Sequence, residues 1–273
     1  TSQDGAMPLF IAALNGHTDI VTLLLQHGAN TKIPWLYDSF SRTPLFAASS
    51  RGHTEIVRLL LDHGAGNHFT REDGATPLYM AALNGHTEIV RFLLDHGAEN
   101  NFTREDGATP LHMAAQNGHS EVVSGAEKDS EHEGGTTPLF MAVQNGHMQV
   151  VKLLLNHGAQ TNLSRKDGVT FLCMTAVKGH TDIARLLLDH GAGKDFTSQD
   201  GAMPLFIAAL NGHTDIVTLL LQHGANTKIP WLYDSFSRTP LFAASSRGHT
   251  EIVRLLLDHG AENNFTREDG ATP

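Results

Sequence analysis

Residues Gly74 to Ala98 read GATPLYMAALNGHTEIVRFLLDHGA, and the reading of this stretch decides the fold. It holds two short apolar-patterned segments separated by Asn84-Gly85-His86. Thr76 suits a helix N-cap, and Pro77 suits the first helical position, where a missing N–H leaves no bond unmade. Leu78, Ala81 and Ala82 then fall at i, i+3 and i+4, one apolar face of a short helix. Gly85 can adopt the left-handed conformation that ends it. His86-Thr87-Glu88 opens a second helix, with an acidic residue in its first turn. Ile89, Val90, Leu93 and Leu94 form its apolar face, His96 sits in its last turn, and Gly97 stops it. Each helix is too short to persist alone in water.

Near-copies of the stretch recur along the chain. The proline that opens each copy falls at Pro8, Pro44, Pro77, Pro110, Pro138, Pro204, Pro240 and Pro273, with Phe171 in its place once. The steps are 36, 33, 33, 28, 33, 33, 36 and 33 residues. A fixed period of this size means stacked units that share a continuous core.

The pattern Asp73-Gly74-Ala75-Thr76-Pro77-Leu78, then Ala81-Ala82, Gly85-His86 and Gly97-Ala98, resembles the ankyrin repeat. Repeat four carries the fullest form, Thr109-Pro110-Leu111-His112. The resemblance covers essentially the whole chain. It implies an all-α solenoid of helix–turn–helix pairs joined by β-hairpin-like loops, a right-handed curved stack with a concave groove. It also implies a non-catalytic role in protein recognition.

The repeats are expected at about 4–36, 37–72, 73–105, 106–133, 134–166, 167–199, 200–235 and 236–268, with 269–273 opening a ninth, all in one array. Met7 replaces the capping Thr of repeat one, which costs about 1 kcal/mol at that helix end. Repeat four is truncated: Ser124-Gly125-Ala126 follows Val122-Val123 directly, and the Arg-Leu-Leu-Leu-Asp of its neighbours is missing. Losing the leucines removes roughly 5 to 9 kcal/mol of gross burial, so a weak point or hinge is expected there. Residues 1–77 recur as 197–273 with two differences, Gly66/Glu262 and His68/Asn264. Both chain ends fall inside the periodic pattern, so a longer array is expected.

Composition narrows the function. The chain has 273 residues, 40% hydrophobic, with a net charge of −10. Duplex nucleic acid calls for a basic face, which this balance argues against. No apolar run approaches the ~20 residues needed to insert in a bilayer. The single cysteine, Cys173, allows no disulfide within the chain and suits an intracellular, cytoplasmic setting.

The 18 histidines invite a metal-site reading, but their positions argue against it. Eight follow the mid-repeat Gly and seven precede the Gly that ends the second helix, so these fifteen belong to the repeat. At helix starts they can bond neighbouring loops, and at helix ends they complement the macrodipole. No H-x-x-x-H or H-E-x-x-H pair occurs, and no metal or other cofactor is expected. The acidic run Glu127 to Glu133 reads as a solvated loop. Cys173 reads as buried packing rather than a nucleophile. Neither a P-loop, a G-x-G-x-x-G nor a G-x-S-x-G is present, so no enzyme chemistry is expected.

Two features read as a surface for a protein partner. The first is a strip on the first helices: Met80, Leu83, Met113, Met141 and Met174, adaptable apolar side chains that either line the groove or pack between repeats. The second is the longer connector with Trp35 and Tyr37, repeated as Trp231 and Tyr233, residue types that commonly anchor interfaces. Arg104, with Arg71, Glu72, Glu105, Arg165 and Lys166, is expected to add polar contacts at the loop tips. Two rival readings stand beside the monomeric scaffold. One is a regulatory or targeting segment of a larger enzyme, ubiquitin-ligase adaptor or ion channel whose active domain lies elsewhere. The other is a spacer that binds nothing.

Overall fold

The computed structural model describes residues 8–32, 43–68, 72–100, 103–123, 135–195, 201, 203–229 and 238–262. The chain divides into two compact units, residues 1–133 and 134–273. The division falls where the sequence truncates a repeat.

In the first unit the helices come in consecutive pairs: α1 (Pro8–Asn15) with α2 (Thr18–Gln26), α3 (Pro44–Arg51) with α4 (Thr54–Asp62), and α5 (Pro77–Leu83) with α6 (Thr87–Asp95). Among the described residues of this unit, α7 (Pro110–Asn117) comes last and is followed by a 3-10 turn, Ser120–Val122. First helices pack on first helices, α1 on α3, α3 on α5 and α5 on α7, while α2, α4 and α6 form a second layer. One core runs through the unit, from Leu9 and Val21 through Leu45, Leu60, Leu78 and Leu93 to Ala114 and Val122.

The second unit repeats the plan. Its pairs are α8 (Pro138–Asn145) with α9 (Met148–Asn156), α10 (Phe171–Lys178) with α11 (Thr181–Asp189), α12 (Pro204–Asn211) with α13 (Thr214–Gln222), and α14 (Pro240–Arg247) with α15 (Thr250–Asp258). Again α8, α10, α12 and α14 pack in sequence, with α9, α11, α13 and α15 behind them. Among the described residues the chain is helices, turns and isolated bridge residues, including the antiparallel pair Ser164–Thr170, with no strand. No described helix is long and apolar enough to cross a membrane.

The helix ends follow the chemistry of their residues. Thr43, Thr76, Thr137, Thr170 and Thr239 each accept a bond from the backbone N–H three residues on, as at Tyr79, 3.0 Å from the Thr76 hydroxyl. At Met203 no side-chain cap bond forms. The buried Thr109 and His112 form a reciprocal cap. The Thr109 N–H donates to His112 Nδ1 at 3.3 Å, so the ring proton sits on Nε2. Phe171 opens α10 in place of Pro, and its ring packs on Phe140 with centroids 5.7 Å apart.

The mid-repeat histidines join one repeat to the one before. His53 Nε2 donates to the Leu14 carbonyl at 3.2 Å, His119 to Leu83 at 3.1 Å, and His249 to Leu210 at 3.3 Å. Each ring lies over the turn glycine of the preceding repeat. At Gly85 an added Cβ would stand 2.5 Å from His119 Nδ1. The histidines at the second-helix ends act within their own helix. In all seven, Nδ1 donates to the carbonyl four residues back, at 2.7 to 2.9 Å. A donor at the last turn satisfies a carbonyl where the helix has too few N–H groups to offer.

Candidate functional site

The first-helix face of the first unit carries a second, smaller apolar cluster, separate from the main core. Phe46 from α3, Tyr79 from α5, Met113 from α7 and the loop alanines Ala75 and Ala108 are its buried members. Met80 and Leu83 pack against it half-buried, on the same face of α5. The loop alanines are held by Asx turns: Asp73 Oδ1 accepts from the Ala75 N–H at 3.2 Å, and Asp106 Oδ1 from the Ala108 N–H at 3.1 Å.

Arg104 closes the cluster from above. Its guanidinium lies 5.8 Å from the Tyr79 ring centroid, and one N–H donates to the Tyr79 hydroxyl at 3.3 Å. The same group faces Asp106 Oδ2 at 3.2 Å and Asp73 Oδ2 at 3.9 Å. Its backbone belongs to a tight turn, with the Arg104 N–H bonded to Ala108 O and the Glu105 N–H bonded to Asp73 O of the preceding loop. Arg104 therefore ties repeat four to repeat three while leaving part of its guanidinium at the surface. Burial pushes the Tyr79 phenol above its ordinary value, and the Arg104 hydrogen bond opposes that rise. The hydrogen bond to Tyr79 in turn holds the Arg104 guanidinium above its own ordinary value.

The second unit contains a related arrangement. Arg165 lies 5.5 Å from the Phe140 ring centroid and pairs with Asp167 at 2.9 Å. Met141 is half-buried on α8, beside Phe140 in sequence. Met174 of α10 is buried, as Met113 is in the first unit.

The structure thus brings Met80, Leu83, Met113 and Arg104 together. Within the strip, Met113 and Met174 serve chiefly as packing, and Met80, Leu83 and Met141 keep surface. Trp35, Tyr37, Trp231, Tyr233 and Arg71, and the acidic run from Glu127, lie outside the described residues. Cys173 is buried. Among the described residues no group of three or more His, Cys, Asp or Glu side chains is placed to hold a metal.

The sequence named Arg104 and Arg165 as loop-tip residues, but the aromatic floor beneath them went unread. A signal for it existed. An aromatic residue two positions after the helix-opening Pro is followed 25 residues later by Arg, as in Tyr79/Arg104 and Phe140/Arg165. The two residues stand near opposite ends of one repeat, 25 positions apart, so no helix or strand period links them.

The family model described as ankyrin repeats (3 copies) matches residues 1–70, 63–125, 121–200 and 190–267.

Proposed function

The chain belongs to the ankyrin repeat family, whose members are in general protein–protein interaction modules, and we propose that it is a non-catalytic scaffold holding a protein partner. The partner lies along the first-helix and loop-tip face, the concave side expected of the family. The observation that carries this reading is the half-buried pair Met80 and Leu83, set on a floor of Phe46, Tyr79 and Met113. Flexible apolar side chains on a rigid base can fit a partner without reordering the backbone. Arg104 supplies a charged donor beside them, in the combination of apolar anchor and Arg found at interface centres. Met141 offers a second apolar contact of the same kind, and Met113 and Met174 contribute as buried packing on their own helices. Trp35, Tyr37, Trp231 and Tyr233 are proposed as further anchors. The net charge of −10 favours a protein over a nucleic acid.

The test is capture of binding partners by the chain and by its Met80→Glu, Leu83→Glu and Met141→Glu variants. Each substitution is expected to weaken capture by more than about 1 kcal/mol, roughly fivefold, if it removes an anchor. Helical content and melting temperature report that folding survives. Unchanged capture by all three folded variants sinks the proposal.

A further inference from the structure

The duplication provides an internal comparison. Of its two differences, the first-copy residues Gly66 and His68 both line one cleft of about 390 Å³. Lys32, from the loop after α2, and His96, at the end of α6, stand on its wall with Asn67. The Asn67 side-chain amide donates to the His96 carbonyl at 2.8 Å, which holds the wall together.

The second copy shows what this place can hold. Lys228, the counterpart of Lys32, is ion-paired with Glu262 at 2.5 Å. In the first copy Gly66 stands where Glu262 does, and Lys32 has no ion pair among the described residues. The same lysine thus pairs with a carboxylate in one copy and lines the cleft in the other.

We propose that this cleft receives a carboxylate from outside the chain, an acidic side chain of the protein partner, in the position Glu262 fills in the second copy. The proposal rests on the protein-binding reading above. A carboxylate just past the end of a helix meets the unfavourable end of its dipole. Glu262 occupies such a place after α15 all the same, with the Lys228 ammonium opposite it. Both partners of that pair are more than half exposed, so the cleft selects for charge more than it binds tightly. Gly66 is not in the left-handed backbone region, so its backbone conformation is one that Glu also adopts.

The test is a backbone-amide NMR titration of the full chain at low salt with blocked glutamate, N-acetylglutamate methylamide, and with the matching glutamine compound. Saturable shifts at Gly66 and Asn67 are expected with glutamate alone. They are expected to vanish in Gly66→Glu, which supplies the carboxylate from within, and in Lys32→Met. Lys228→Met leaves them unchanged. The absence of saturable shifts in the unaltered chain overturns the proposal, as does their persistence in Gly66→Glu or an equal response to the glutamine compound. A flat titration removes the cleft alone. The helix-face reading is judged separately, by partner capture with the Met80 and Leu83 variants.

Discussion

Ser49 shows how far a single side chain can depart from its setting. It is buried in α3 at the position where α5 has Ala82, and its hydroxyl has no hydrogen-bond partner. A buried hydroxyl left unpaired costs on the order of 1 to 3 kcal/mol. Ser49→Ala is therefore expected to raise stability by about 1 kcal/mol in urea denaturation. The same change at the exposed Ser245 is expected to stay within about 0.5 kcal/mol. Tyr79 gives a second expectation. Its phenol titrates above the ordinary value because burial disfavours the phenolate. The folded chain then holds this proton more tightly than the unfolded one. Its contribution to stability is complete below the ordinary phenol pKa and is lost as pH rises through the Tyr79 value. Absorbance of phenolate should show a late-titrating fraction, and Tyr79→Phe should abolish it.

At the scale of the helix pair, the joint between repeats is a ring laid over a turn. Gly85 has φ of 74° and touches His119, whereas Gly97 has φ of 78° and nothing within 4 Å of an added Cβ. Both Ala variants incur the left-handed cost of roughly 1 to 2 kcal/mol. Gly85→Ala also displaces the His119 ring from the Leu83 carbonyl, about 1 kcal/mol more. That excess is expected to disappear in a His119→Ala background, as measured by a double-mutant cycle in denaturant. The helices themselves were readable from local chemistry: Thr76-Pro77 opens one, Gly85 ends it, and Gly97 ends the next. The roles of the two histidine sets were readable only in outline, because a partner such as the Leu83 carbonyl lies a full repeat away. The division of the Met strip into buried Met113 and Met174 and half-buried Met80 and Met141 was not readable. All four occupy the same position in the repeat, and their burial depends on which neighbours cover them.

Across the molecule, the effect of neighbours can be isolated, because α2 and α13 have identical sequences. In α2, Ile20 is 49% exposed and Leu23 56%; in α13, where α11 packs alongside, Ile216 is 1% exposed and Leu219 2%. Covering two such side chains is worth roughly 1.5 to 3 kcal/mol each. Hydrogen exchange should therefore show slower opening of α13 than of α2, and equal rates would contradict nearest-neighbour stability. The histidine joint carries a consequence for the gene. Because the Leu14–His53 and Leu210–His249 contacts are the same joint in two places, unequal recombination that removes or adds whole repeats splices one seam onto its equivalent. Such a chain changes length without acquiring a new type of seam. A deletion like the 28-residue step instead removes the leucine run of a second helix, so whole repeats are the steps that preserve the pattern.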